Sequence, residues 1–396
     1  MFNHLHIPES RERWLVGCMD LALAPFSGIR HLRRGSRSSK LPTRVVLFRL
    51  ERIGDLLMSL SALRALRARV PQAYIQLVVG SWNASLSERL TEIDQVETLD
   101  APWLSREGTS SSLRKIATTT AGWRKQEFDL AINFEPDIRT NALVASSGAV
   151  RRVGWSTGGG GAFLTDALQY DRKRHAATNA IRLVDHALPS QSLTPITYRE
   201  AQLQIPETIA TAVDKWLDKH DECKPLVGIN PGCGRMIKQW PCERFSKTAA
   251  MLFALEGATI VLLGSESERQ LTDAVKQDLP AEAPVIDLVG LSLVELAAVL
   301  KRLSVVIAGD TGPMHLASAV GTPSVAIFGP SDPTRYSPLH QDAVVVHADL
   351  WCRPCGRIRH PPVRCCNRTP DCLTAVSVDT VVCQTRQILS CSTVSQ

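Results

Sequence analysis

The stretch Val305–Gly329, VVIAGDTGPMHLASAVGTPSVAIFG, decides the fold. Val305, Val306 and Ile307 form a short apolar, β-branched run of the kind that suits a buried parallel strand. Gly309 lets the chain turn, and Asp310 and Thr311 are residue types that cap helices. Pro313 fits the first helical turn, where its missing N–H costs nothing. Gly321 and Pro323 stop the helix, and Val325–Phe328 is the next strand. A helix N-terminus therefore sits at the carboxyl end of a strand. Its unpaired N–H groups and the positive end of its dipole favour phosphate. Asp310, in the same turn, would repel phosphate, so it is expected to meet uncharged groups such as sugar hydroxyls.

The same rhythm extends on both sides. After the turn Pro231–Arg235, which follows the strand Leu226–Asn230, come a helix over Cys242–Glu256, a strand over Thr259–Gly264, a helix over Glu266–Leu279, a strand over Val285–Leu288 and a helix over Leu293–Leu303. In the first half, Thr43–Arg49 reads as a strand, Ile53-Gly54-Asp55 as the turn after it, and Leu56–Val70 as one helix. Tyr74–Val79, Val96–Leu99 and Leu130–Phe134 read as further strands, with helices over Leu113–Trp123, Asn141–Ser147 and Asn179–Ala187. Alternation of this kind in both halves predicts an α/β protein with two doubly wound parallel sheets facing each other across a cleft. Ligands bind such sheets at the carboxyl ends of their strands.

Four parts follow: a basic arm or amphipathic helix over 1–40, an α/β domain over 41–205, a second over 206–345, and a Cys-rich segment with a return helix over 346–396. Pro189–Pro206 approaches the hinge. The run Gly158–Gly161 cannot hold a regular element, so it reads as a mobile or backbone-exposing loop.

Composition narrows the function. The net charge is +6, and residues 1–40 alone carry seven Lys/Arg against three Asp/Glu. The remainder is near neutral, which argues against a nucleic-acid binder. No apolar run reaches the roughly 18 residues that span a bilayer. Trp14–Ala24 has the look of a signal-peptide core, but Asp20 interrupts it. The segment reads either as a helix lying on an anionic membrane surface or as a solvated leader. Eleven cysteines, five of them within Cys352–Cys372, suggest a reducing cytoplasm rather than a disulfide framework.

Five motifs in order carry a resemblance: Arg49–Leu56 (RLERIGDL), Arg152–Thr165 (RVGWSTGGGGAFLT), Lys238–Pro241 (KQWP), Gly309–Leu316 (GDTGPMHL) and the Cys352–Leu373 segment. Together they resemble glycosyltransferase family 9, the heptosyltransferase family of lipopolysaccharide synthesis. The resemblance implies the GT-B fold of two Rossmann-like domains. It implies an inverting transfer of a sugar, usually heptose from ADP-heptose, to a cell-envelope glycan, without a catalytic metal or other cofactor. It places the enzyme on the cytoplasmic face of the plasma membrane, with a nucleotide-diphosphate sugar and an anionic glycolipid as its partners.

On the same resemblance, Asp55 is the candidate general base, since inversion needs a carboxylate to take the acceptor hydroxyl's proton. A helix cap is its plainer role. Lys238 matches the lysine that binds donor phosphate and stabilises the leaving group's charge. Gly232, Thr311 and Gly312 are expected to give N–H or hydroxyl groups to the diphosphate, Asp310 to hold the donor sugar, and Glu266 to reach the ribose. His315 reads as a core residue. Arg49, Arg52, Arg152 and Gly159 are the acceptor-side candidates; both Arg49 and Arg52 have solvated surface residues as their plainer reading. Cys352 and Cys355, with Cys365 or Cys366 and with Cys372, have the residue types for a structural zinc or iron site.

Other classes remain. A nucleotide-sugar epimerase shares this fold, and a protein O-heptosyltransferase shares the chemistry. A dinucleotide oxidoreductase is disfavoured, because Ile237 stands where Gly232-Cys233-Gly234 needs a third glycine. A non-catalytic sugar-binding scaffold is the fourth reading.

Overall fold

A computed structural model of the chain describes residues 2–32, 40–104, 112–188, 203–217, 224–355, 365 and 370–393. The chain divides into two compact units, Met1–Ile196 and Thr197–Gln396.

The first unit is built on six parallel strands: β1 (Arg44–Arg49), β2 (Tyr74–Val79), β3 (Gln95–Thr98), β4 (Leu130–Asn133), β5 (Arg151–Trp155) and β6 (Asp166–Leu168). Their order is β3-β2-β1-β4-β5-β6, with all pairings parallel. Val45–Phe48 at the centre are fully buried, as a strand covered on both faces requires. Phe48 packs edge-on against Trp123 with ring centroids 5.2 Å apart, which closes one side of the core.

The second unit repeats the plan with β7 (Leu226–Asn230), β8 (Thr259–Gly264), β9 (Val285–Val289), β10 (Val305–Gly309), β11 (Ser324–Phe328) and β12 (Val344–His347). Their order is β12-β11-β10-β7-β8-β9. Both sheets therefore grow in opposite directions from one central pair, β1/β4 in the first and β7/β10 in the second. These reversal points are where open α/β sheets leave a crevice beyond the strand ends. The helix Val378–Thr393 sends Val381, Val382, Ile388 and Leu389 into the second core, beside Trp240 and Phe245. Burying each such side chain stabilises by about 1.5–3 kcal/mol.

Three local features differ from the sequence reading. The helix expected over Leu56–Val70 is two: α2 (Ile53–Leu57) and α3 (Leu60–Arg69). The Asp55 carbonyl is taken by the Ser59 hydroxyl and by Arg49 Nη2, both at 2.9 Å. The Ser59 N–H turns instead to the carbonyl of Leu56, three residues back, which tightens the chain and breaks the helix.

The glycine run is neither loose nor exposed. Gly158, Gly159 and Gly160 are buried, and Gly159 and Gly160 have φ of 86° and 72°. A Cβ on Gly158 would lie 1.8 Å from the Pro136 carbonyl oxygen, and one on Gly159 2.2 Å from Val16. The glycines are there because the backbone passes too close to its neighbours for any side chain. Above them lies the N-terminal helix α1 (Ser10–Leu32), whose Asp20 accepts the Gly160 N–H at 2.6 Å. That segment is therefore no solvated leader. The hinge approach largely falls on 189–202, outside the described residues.

Candidate active site

In the first unit, the chain leaves β1 at Arg49 and enters α2 through Arg52, its N-cap. Asp55 sits in the first turn of α2 rather than at the cap. Its side chain is 27% exposed, and its Oδ1 lies 3.5 Å from Arg49 Nη2. Arg49 is not solvated: only 6% of it is exposed. Its guanidinium donates to the Asp55 carbonyl at 2.9 Å and to the Phe134 carbonyl at 3.2 Å, and lies 3.5 Å from Glu51. A buried guanidinium persists only with counter-charges and acceptors around it. Burial alone would lower its pKa, but Asp55, Glu51 and Glu135 outweigh that and hold it above its usual range.

Glu135 is the residue that reading the sequence missed. It follows β4 and is 1% exposed. One carboxylate oxygen accepts the Glu51 N–H at 2.7 Å and the other the Thr140 hydroxyl at 2.9 Å. Burial pushes its carboxyl up to about 7, against the pull of Arg49, Thr140 and the Glu51 N–H. The available signal was its position, since Glu135 follows a buried strand just as Asp55 does. Asn133 continues the network, accepting the Glu135 N–H at 3.0 Å and donating to Asn141 at 2.8 Å. Asn141 in turn donates to the Gly159 carbonyl at 2.8 Å. A chain of buried polar contacts thus runs from the glycine run to the turn that carries Asp55.

The remaining acceptor-side candidates have structural partners. Arg152 donates to the carbonyls of Phe163 and Ala149 at 2.8 and 2.7 Å, and Gly159 lies beneath α1. Arg52 is exposed.

In the second unit, β7 and β10 end side by side. Asn230, the last residue of β7, donates to the Gly232 carbonyl at 3.1 Å, while its own side-chain oxygen is buried with no hydrogen-bond partner among the described residues. Lys238 ends a short 3-10 turn, Met236–Lys238, and its Nζ lies 2.5 Å from Asp310 Oδ2. The two residues expected to bind different parts of a donor are thus paired with each other. Asp310 meets a cation here, where uncharged hydroxyls were expected.

Thr311 is the N-cap of the helix Gly312–Val320 but makes no side-chain cap; its hydroxyl turns back to the Gly309 carbonyl at 3.3 Å. The first N–H groups of this helix are therefore not capped by Thr311. His315 is buried, as expected of a core residue. A Cβ on Gly232 would lie 2.3 Å from the Glu268 carboxylate, so a side chain there would displace Glu268 from its capping box with Ser265. Glu266, the expected ribose contact, has a 69% exposed carboxylate paired with Arg269 at 2.6 Å, which lowers its pKa.

Among the described residues no group of three or more His, Cys, Asp or Glu is placed to hold a metal ion, and Cys352, Cys355, Cys365 and Cys372 are free thiols. Burial, with the neighbouring Cys352, Cys365 and Cys355 thiols adding to it against Arg353, pushes Cys372 up to about 11, and its side chain packs in the second core. Cys366 lies outside the described residues.

Similarity to known proteins agrees with this architecture. The model of glycosyltransferase family 9 (heptosyltransferase) matches residues 120–362. Lipopolysaccharide heptosyltransferase 2 of Salmonella typhimurium is 27% identical over 308 residues, covering 74% of this chain and 85% of that protein. The family 9 glycosyltransferase of Veillonella parvula shares the fold with a TM-score of 0.76 at 24% identity, over 89% of this chain and 99% of that one. The ADP-heptose lipopolysaccharide heptosyltransferase II of E. coli does so with a TM-score of 0.71 at 20% identity, over 88% and 99%. With its family motifs at the carboxyl ends of two doubly wound sheets, the chain belongs to glycosyltransferase family 9, the heptosyltransferases.

Proposed function

We propose that the protein transfers heptose from ADP-heptose to a hydroxyl of a lipopolysaccharide-core acceptor, inverting the anomeric carbon. The acceptor oxygen attacks that carbon, the bond to the diphosphate breaks, and ADP departs with the electron pair. Asp55 takes the acceptor proton. It suits this role because its carboxylate is part-exposed at a strand-end turn and held by a fixed cation. Lys238 and the leading N–H groups of Gly312–Val320 take up the charge that develops on the diphosphate. Asp310 then exchanges its lysine for the sugar's hydroxyls.

The observation that carries the reading is the Lys238–Asp310 pair at the end of the β7/β10 crevice. A cation and a carboxylate side by side match a phosphate and a hydroxylated sugar in one ligand. The acceptor is lipid-linked, so the enzyme works at a membrane surface; among the described residues no helix is long and apolar enough to cross one.

A thermal-shift panel of ADP-, UDP-, GDP- and dTDP-sugars tests the donor. A ligand bound to the native state raises the midpoint by mass action, and ADP-heptose is expected to raise it most. An equal response to all four nucleotides refutes the donor assignment. Donor consumed at an undiminished rate without acceptor would instead indicate an epimerase.

A further inference from the structure

We propose that the outward face of α1 docks on the surface of an anionic bilayer. This deepens the reading above by naming the surface through which the protein meets its acceptor's membrane. The inward face of α1 is already occupied. Val16 is buried with Leu5 and Ile138, Phe2 and Phe163 pack against them, and Asp20 holds the Gly160 N–H. The opposite face carries Trp14, Leu15, Met19 and Leu21, exposed by 57, 57, 51 and 64%. At 3.6 residues per turn these four lie within one half of the helix. Single exposed apolar residues are ordinary, but four large ones on one face of one helix form a patch that calls for a partner.

Charge identifies the partner. Residues 30–40 hold Arg30, Arg33, Arg34, Arg37 and Lys40 and no acidic residue. An apolar helical face followed by a polybasic stretch supplies the two signals that stable peripheral binding requires. Trp14 suits the headgroup level, where an amphipathic ring sits between tails and water. A second copy of this chain would bring two such basic stretches together, which disfavours it as the occupant.

Co-sedimentation of the full chain with vesicles tests the proposal. Binding to phosphatidylglycerol–phosphatidylethanolamine vesicles is expected to exceed binding to phosphatidylcholine vesicles by about tenfold, and to weaken at high salt. Replacing Trp14, Leu15, Met19 and Leu21 together by serine is expected to lower binding by about tenfold or more with the unfolding midpoint unchanged. Replacing Arg30, Arg33, Arg34 and Arg37 by serine is expected to abolish the preference for anionic lipid. Equal binding to both vesicle types overturns the proposal. So does a serine variant that binds like the parent, or a dimer of the parent that the serine variant dissolves. The measurement uses no donor or acceptor, so a failure of heptose transfer refutes the proposed reaction and leaves the docking surface standing.

Discussion

Lys238 Nζ and Asp310 Oδ2 lie 2.5 Å apart although 72 positions separate the residues in sequence. The pair joins the turn after β7 to the turn after β10, and it is only partly hydrated: the lysine side chain is 21% exposed and the aspartate 9%. The pair satisfies two charges at the strand ends, and on the proposed reading each partner would be released to a group of the donor.

Lys238→Met leaves the Asp310 carboxylate with little water and no cation. The expected loss of stability is about 3 kcal/mol or more, because a stranded charged group costs more than an unsatisfied neutral one. Adding Asp310→Asn removes the stranded charge and is expected to recover part of that loss, while donor affinity stays low in both variants. A double-variant cycle followed by urea unfolding and by donor titration checks both statements.

Asp55→Asn keeps the hydrogen-bond geometry around Arg49 but removes the base. The expected fall in kcat is about 10²–10⁴-fold, with donor affinity unchanged. Turnover within a few-fold of the parent would remove Asp55 from the chemistry.

Much of this architecture was legible in the sequence because buried parallel strands announce themselves. Val305–Ile307, Thr259–Leu263 and Leu130–Ile132 are apolar on both faces, and each is followed by a turn residue. The three-residue edge strand Asp166–Leu168 carries no such signal, whereas Val344–Val346 is apolar and β-branched like Val305–Ile307, a signal that the sequence reading does not use. The glycine run was misread for another reason. Periodicity cannot tell a glycine that frees the chain from one that lets another element, here α1, approach it. Arg49 and Glu135 were opaque as a pair, because the pairing of β1 with β4 that buries them joins positions far apart in sequence.

Glu135 gives stability a pH dependence of definite sign. Its carboxyl titrates near 7 in the folded protein against 4.5 as its ordinary value. The folded state therefore holds the proton more tightly, so its contribution is full below about pH 4.5 and is lost as pH rises through about 7. Glu135→Gln imitates the protonated form. Over that window the parent is expected to lose stability relative to the variant, measured by urea unfolding at closely spaced pH values. Parallel curves would show that Glu135 is ionised throughout.

Gly158→Ala is expected to destabilise the first unit by more than about 2 kcal/mol. The added methyl meets the backbone oxygen of Pro136, which cannot rotate away as a side chain would. Gly122→Ala is the control, because nothing lies within 4 Å of its Cβ position. In the last turn of the helix Leu113–Arg124 it is expected to be neutral or stabilising. Comparison of the two thermal midpoints separates a clash from a general intolerance of alanine.

Asp166 supplies the opposite slope at acid pH. Burial would raise its carboxyl, but hydrogen bonds from Arg151 at 3.2 Å, Thr165 at 2.8 Å and His186 at 3.1 Å outweigh burial and hold it at about 2, below its ordinary 3.8. The unfolded chain binds the proton more readily, so this contribution is present above about pH 3.8 and is lost as pH falls through about 2. Its size follows from the shift and comes to about 2 kcal/mol. The same arginine also donates to the carbonyls of Ala187 and His186, so the carboxylate ties β5 and β6 to the end of the helix Ala176–Ala187. Asp166→Asn is therefore expected to cost about 2 kcal/mol at neutral pH. The deficit should shrink steadily below about pH 4 as the parent's own carboxylate is protonated. Urea unfolding at neutral pH and near pH 3 measures the full deficit and its partial loss. A deficit that stays constant across that range would assign the effect to lost packing or hydrogen-bond geometry rather than to charge.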